Sequence, residues 1–123
     1  MKTHDTLAKY FGKALLVSAA LGFLLSAPAQ ASTKTGQVSV TGIGCFADAG
    51  WCFVSTDGPA AGPASCEGND FRWEVSASAS DEMYSAFLTA MVTGRKIEIT
   101  TKTTCLLVGA TDFPTPNYFY LYQ

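Results

Sequence analysis

Hydrophobic and polar residues alternate in two neighbouring stretches of the chain, residues 36–43 and 51–56. Alternation of this kind predicts strands that bury one face against a core. The connection between the two stretches contains Asp48-Ala49-Gly50, and these residue types favour turns. The pattern therefore predicts an antiparallel hairpin.

A third alternating stretch follows a loop rich in Gly, Pro and Ala at 57–65. Phe71, Trp73 and Val75 lie on one side of this stretch, and charged or polar residues lie on the other. We therefore predict a third strand whose two aromatic side chains belong to the core beneath a helix.

That helix is predicted by a change to helical spacing. Met83 and the positions four, seven and eight residues after it are apolar, which places them on one helical face. Ser80 is placed to cap the start of the helix, and Asp81 and Glu82 fall in its first turn, where the dipole favours anions. Gly94 is typical of a helix end.

Two further strands are predicted after the helix. The first alternates around Ile97 and Ile99, and the second is the terminal run 118–122. Between them we expect a short apolar run at 105–108 and a loop at 111–116. Strand, strand, strand, helix, strand, strand is the order of the OB-fold, a five-stranded and partly open barrel. We therefore expect a mostly β, OB-like small barrel with one helix, although a small α+β sheet with one packed helix fits the same pattern.

The first part of the chain has a different composition. Three lysines precede an uncharged run at 14–30, and Ala29-Gln30-Ala31 supplies small residues before Ser32. This order is typical of a secretory signal peptide. A transmembrane anchor is the alternative, but the run has 17 residues, whereas a span needs about 20. We therefore predict a signal peptide at 1–31 and one exported domain at 32–123, periplasmic or extracellular, with no membrane span.

The charge of the predicted domain bears on its partners. Residues 32–123 contain five basic and nine acidic side chains, so the formal net charge is −4. OB-folds bind single-stranded nucleic acid through a positive groove lined with stacking aromatics. We therefore expect no nucleic-acid partner.

All four cysteines, Cys45, Cys52, Cys66 and Cys105, lie in the predicted exported domain. An even number of cysteines in a small exported domain favours disulfides. Zinc is the alternative, but zinc sites use closely spaced ligand pairs that this spacing lacks. The only histidine, His4, lies in the predicted signal peptide. We expect two disulfides, no metal site and no cofactor.

Turn geometry predicts how the cysteines pair. Centring the hairpin on Asp48 and Ala49 places Cys45 opposite Cys52, within reach of a disulfide. Cys66 and Cys105 are then the second pair. Their disulfide closes the longer loop, of about forty residues, and so restricts the unfolded chain more.

The residue types present argue against catalysis. Without a histidine in the domain, Ser-His-Asp and Cys-His arrangements are absent, and oxidised cysteines supply no thiolate. Carboxylates remain, but Asp81 and Glu82 have a structural role at the helix start, and Glu67 and Asp70 belong to a loop. We therefore predict that the protein is not an enzyme.

Aromatic residues are the candidate binding groups. Trp51 lies at the hairpin tip beside Cys52, where it either packs on the disulfide or stacks against a sugar ring or a partner. Tyr118, Tyr120 and Tyr122 share one face of the last strand. They contact a ligand or partner if the intervening residues face the core, and they line the barrel in the opposite register.

Several motifs resemble those of a known group of proteins. The strand motif Trp73-Glu74-Val75, the helix sequence 83–90, the run Thr93-Gly94-Arg95-Lys96-Ile97 and the late Cys105 resemble a group of small exported bacterial proteins of mostly unknown role. More distantly, nearly the whole predicted domain is similar to the receptor-binding B subunits of subtilase cytotoxin and pertussis-like toxins. This resemblance implies an OB-type fold, assembly into pentamers, and hence a homo-oligomer of this chain, and binding of sialylated glycans. A serine before the first strand contacts the glycan in the toxin subunit, and the nearest position here is Thr35.

Two functions follow from these observations. The leading hypothesis is an exported, non-catalytic binding module that recognises a glycan or a cell-surface receptor in the manner of toxin B subunits. The alternative is a periplasmic or secreted accessory protein that binds another protein through its C-terminal tyrosine strand.

Overall fold

The computed structural model of the chain describes residues 33–123. Five strands and one helix occur in the predicted order: β1 Val40–Phe46, β2 Trp51–Thr56, β3 Asp70–Glu74, α1 Ser80–Thr93, β4 Ile97–Val108 and β5 Thr111–Leu121. The mostly β composition and the position of the helix are therefore confirmed. The predicted signal peptide at 1–31 lies outside the described residues.

The strands form two antiparallel sheets, not one closed barrel. The first sheet has the order β1-β2-β3, and the second consists of β4 and β5. β5 lies beside β3 without a hydrogen-bonded ladder between them. Pro114 and Pro116 of β5 lack the N–H that a ladder needs, which gives a physical reason for incomplete pairing. The expectation of an OB-like barrel was therefore wrong with respect to closure.

A segment before β1 joins the two sheets along part of their length. The amide of Val38 donates to the carbonyl of Ile97 over 2.8 Å, and the amide of Thr35 donates to the carbonyl of Ile99 over 3.1 Å. The amide of Thr101 donates to the carbonyl of Thr33 over 2.8 Å. Residues 33–38, which we call the N-terminal strap, thus hold the start of the domain against β4.

The core lies between the helix and the inner faces of the sheets. Phe71 and Trp73 of β3 are fully buried, as predicted. Phe87 of α1 meets the Trp73 ring edge-on at 5.7 Å and the Phe119 ring at 4.9 Å. Ile97 and Ile99 of β4 are also fully buried, and the aromatic contacts connect the helix to both sheets.

The helix begins differently from the prediction. Ala79, not Ser80, is the N-cap; its φ of 62° is left-handed, and no side chain caps the first turn. The Ser80 hydroxyl instead accepts a hydrogen bond from the buried Trp73 indole over 3.0 Å. A buried indole N–H needs a partner, and this need explains why the expected cap is wrong. The predicted end is confirmed, because Gly94 is left-handed with a φ of 70°.

β4 and β5 are longer than predicted and contain a wide bulge. The expected loop at 111–116 is wrong, since these residues belong to β5. Thr101 pairs with Pro116 and Cys105 pairs with Pro114, so residues 102–104 face only one residue of β5. We call residues 102–104 the β4 bulge. Proline is tolerated at bulges because ladder bonds are already missing there.

Both predicted disulfides are confirmed. Cys45 pairs with Cys52 across the hairpin, and their Cα atoms are 3.9 Å apart. Cys66 pairs with Cys105, with a Cα separation of 6.0 Å. Disulfides are typical of proteins in oxidising compartments. Within residues 33–123, no helix has the length and apolarity to cross a bilayer.

Candidate functional site

The last strand presents two tyrosines outward. Tyr118 is 43% exposed and Tyr120 is 54% exposed, whereas Phe119 and Leu121 between and after them pack against the core. Of the two registers left open by the sequence, the structure has the outward one. The two tyrosine rings are 5.8 Å apart between centroids and are inclined at 83° to each other. Tyr122 follows the end of β5, is half-buried, and its amide donates to the carbonyl of Lys96 over 2.8 Å.

A groove of about 620 Å³ opens beside Tyr118. It lies where the turn between β3 and α1 faces the β4 bulge and the adjoining part of β5. Its walls combine polar and apolar residues in similar measure. The polar residues considered below are Glu74, Ser78, Lys102, Thr104, Asn117 and Tyr118. The core residues Trp73, Met83 and Phe119 also contribute to the lining. We call this cavity the tyrosine groove, and its volume lies within the range of small-molecule sites.

The local fold explains why a groove forms here. The β4 bulge carries Lys102 and Thr104 out of the regular ladder, and bulges commonly re-aim side chains in this way. On the opposite wall, the left-handed Ala79 turns the chain sharply into the helix. The disulfide from Cys105 to Cys66 ties the wall beside the bulge to the loop before β3. Backbone pairing and a covalent bond therefore both support the groove.

The charged groups of the groove balance each other. Among residues 33–123, Glu74 and Lys102 are the charged residues that line it, one acidic and one basic. The groove is therefore formally neutral, although residues 32–123 carry a net charge of −4. Such a wall favours a ligand without a net charge, because neither an anion nor a cation would meet an excess of opposite charge.

Trp51 lies in a separate aromatic cluster on the outer face of the first sheet. Its ring centroid is 4.1 Å from that of Phe46, and the Arg72 guanidinium lies 4.3 Å from the Trp51 ring. Arg72 also lies 3.4 Å from the Phe113 ring and forms an ion pair with Asp70 at 3.2 Å. Trp51 is therefore half-buried by Phe46 and Arg72, and it does not line the tyrosine groove.

Thr35 has a structural role in joining the N-terminal strap to β4. It is only 4% exposed, its hydroxyl donates to the carbonyl of Gly36 over 2.7 Å, and it accepts the amide N–H of Ile99 over 3.0 Å. A glycan would have to displace the N-terminal strap to reach this hydroxyl. The glycan contact carried over to Thr35 from the toxin subunit therefore does not fit this structure.

The carboxylates considered in the sequence are not brought together. Asp81 and Glu82 lie exposed in the first turn of α1, and Glu67 is exposed in the loop after Cys66. Asp70 is paired with Arg72. Among residues 33–123, no group of three or more His, Cys, Asp or Glu side chains is arranged to hold a metal ion.

The groove itself was missed by sequence reasoning. Glu74, Lys102 and Asn117 come from three different strands. Glu74 belongs to the strand motif at 73–75, but that motif gives no sign of a groove, and Lys102 and Asn117 belong to no motif. Only Tyr118 was among the candidate residues. A bulge formed by the polar residues 102–104 leaves no hydrophobic pattern from which it could be predicted.

Comparison with known proteins adds no assignment to this geometry. No protein-family model, no curated protein and no solved structure matches the chain.

Proposed function

We propose that the protein is an exported, non-catalytic binding module and that the tyrosine groove binds a short, uncharged glycan. One observation carries this proposal: the exposed Tyr118 ring borders a groove whose walls combine polar with apolar residues and are formally neutral. Export is supported by the leader-like composition of residues 1–31 and by the two disulfides.

The chemistry of a sugar ring matches these walls. The C–H face of a pyranose is apolar and packs on an aromatic ring, while its hydroxyls form hydrogen bonds at the rim. Tyr118 supplies the ring, and its hydroxyl adds a polar tip. Asn117 both donates and accepts, Glu74 accepts and Lys102 donates, so that together they complement several hydroxyl groups.

Binding without catalysis is supported by the state of the strongest candidate nucleophiles. All four cysteines form disulfides, so none supplies a thiolate. Asp81 and Glu82 lie in the first turn of α1, where negative charges interact favourably with the helix dipole. This structural role accounts for their position.

A glycan array tests the proposal. The protein is exported from its full-length gene and applied to an array that carries glucose, galactose, mannose and N-acetylglucosamine with their di- and trisaccharides. We expect binding that falls roughly five- to tenfold in Tyr118→Ala, because one stacking contact is lost. Val92→Ala, which changes a helix residue that is 74% exposed and outside the groove, is the matched control. Absence of binding to every glycan, or equal binding by Tyr118→Ala, would contradict the proposal.

The exposure of Tyr118 and Tyr120 also favours a second candidate, a protein partner docked on the last strand. Tyrosine is enriched at protein interfaces because it combines a large ring with a polar tip. This candidate predicts that one protein is recovered in a pull-down and is lost with Tyr120→Ala. Homo-oligomeric assembly, which the toxin resemblance implies, remains a proposal that size-exclusion chromatography tests.

A further inference from the structure

We propose that the glycan occupies two consecutive subsites, one sugar ring in the tyrosine groove against Tyr118 and the next against Tyr120. The ligand is then an oligosaccharide of at least two sugars, and a monosaccharide fills only half of the site. This inference rests on the proposed function and specifies its ligand.

The positions of the two tyrosines carry the argument. They are two residues apart on β5, so both side chains project from the same face of the strand. Tyr118 lines the groove, whereas Tyr120 lies outside it and is more exposed. Their ring centroids are 5.8 Å apart, which is comparable with the separation of neighbouring rings in an oligosaccharide. A glycan that leaves the groove toward Tyr120 therefore meets a second ring at the spacing of its next sugar.

The charges beside Tyr120 are also balanced. Tyr120 pairs across the ladder with Glu98, and the carboxylate of Glu98 lies 3.8 Å from the ammonium of Lys34. The outer subsite thus resembles the groove in having one acidic and one basic group. Both subsites accordingly favour neutral sugars, and an acidic sugar gains no charge advantage in either one.

The inclination of the rings selects among linkages. At 83°, the two tyrosine rings form a corner and do not form a flat platform. Two sugar rings that lie in one plane cannot both stack on tyrosine rings inclined at this angle. Two sugar rings whose planes are inclined to each other can. Glucose rings are nearly coplanar in cellobiose and turned in maltose. We therefore expect the turned linkage to bind more tightly than the flat linkage of the same sugar.

The experiment measures affinity against chain length for the sugars on the array, using isothermal titration of the exported protein. We expect the disaccharide to bind roughly five- to tenfold more tightly than its monosaccharide, the gain of one stacking contact. Tyr120→Ala removes this gain, so that the variant binds the disaccharide no more tightly than the monosaccharide. Tyr120→Phe keeps the ring and retains the gain, which separates ring stacking from loss of the fold.

The contradicting results are distinct from those for the proposed function. Equal affinities for mono- and disaccharide, an equal loss of both in Tyr120→Ala, or a preference for the flat linkage would overturn the two-subsite inference while binding to the groove persists. Absence of binding to every sugar would overturn the proposed function together with this inference.

Discussion

At the scale of single residues, two buried threonine side chains differ in whether their hydroxyl groups form hydrogen bonds. The hydroxyl of Thr35 bonds to two backbone groups, whereas that of Thr100 has no hydrogen-bond partner. Thr100 is 8% exposed and pairs with Tyr118 across the ladder. A buried polar group without a partner costs free energy, while its replacement by an apolar group of the same shape is nearly neutral or stabilising.

We therefore expect Thr100→Val to leave the free energy of unfolding unchanged or to raise it by up to about 1 kcal/mol. Chemical denaturation measures this effect. Thr35→Val is the matched control, because the same change there leaves the Ile99 amide unpaired and lowers stability by about 1–3 kcal/mol. If both variants were destabilised equally, the Thr100 hydroxyl would have to be hydrogen-bonded in solution.

Asp57 makes the stability of the domain depend on pH in the acidic range. Its carboxylate accepts the amide N–H of Ser39 over 2.7 Å, and this hydrogen bond lowers the pKa of Asp57 below the usual 3.8. Desolvation of the carboxylate raises the pKa, but by less than the Ser39 amide lowers it. The Ser39 side chain and the positive charge of Lys96 lower the pKa further. A lowered folded-state pKa means that the folded protein binds the proton less readily than the unfolded chain.

The contribution of Asp57 to stability is therefore present above the unfolded-state pKa and is lost as the pH falls through the folded-state pKa. Asp57→Asn removes the titration. We expect the wild-type protein to have the higher melting temperature at neutral pH, and the two melting curves to converge in strong acid, at about pH 2. Thermal melts across this range measure the difference. A gap that stays constant with pH would show that the charge of Asp57 has no role.

At the scale of elements, the two ends of α1 use the same backbone conformation with different residues. Gly94 is left-handed at the C-terminal end and Ala79 is left-handed at the N-terminal end. A side chain in this conformation costs roughly 1 kcal/mol, which glycine avoids. Nothing lies within 4 Å of the position that a Cβ of Gly94 would occupy, so only the backbone cost applies there.

We therefore expect Ala79→Gly and Gly94→Ala to change the free energy of unfolding in opposite directions. Ala79→Gly should raise the free energy of unfolding by about 0.5–1 kcal/mol, and Gly94→Ala should lower it by a similar amount. Ala86→Gly, within the helix, is the control and should be destabilising, since glycine has poor helix propensity. Urea denaturation distinguishes these outcomes. A loss of stability in Ala79→Gly would mean that the Ala79 side chain makes a stabilising contact that outweighs its backbone cost.

The elements that were predictable from the sequence are those with local determinants. The β1–β2 hairpin and the helix end follow from short-range patterns, and the hairpin register led to both disulfides. The first half of β5 was missed because Pro114 and Pro116 are typical of loops, although a bulged strand also accepts them. The predicted capping role of Ser80 was wrong because its hydroxyl bonds to the Trp73 indole, which belongs to another element. That contact forms only when β3 packs against the helix.

At the scale of the whole molecule, the site was predicted only in part. The tyrosine alternation identified Tyr118 and Tyr120, but their direction depended on which residues of β5 the core would accept. The groove combines Glu74, Lys102 and Asn117 from three parts of the chain, and its shape depends on a bulge and on incomplete closure of the sheets. Such long-range juxtapositions have no signature in a single sequence.

The two disulfides allow the effect of long-range closure to be measured directly. The Cys66–Cys105 bond spans 39 positions of the sequence and joins the loop before β3 to β4, whereas Cys45–Cys52 spans 7 within one hairpin. In the chain-entropy description, the longer loop contributes about 4 kcal/mol and the shorter about 2.5 kcal/mol, since the unfolded chain loses more freedom when distant residues are joined.

We therefore expect the double variant Cys66→Ala with Cys105→Ala to lose about 1.5 kcal/mol more stability than Cys45→Ala with Cys52→Ala. The comparison is matched, because each pair contains one buried cysteine, Cys66 or Cys52, and one more exposed partner. Guanidinium denaturation of the two oxidised variants measures the difference. A larger loss in the hairpin variant would mean that local strand pairing, and not closure between the sheets, dominates the stability of the domain.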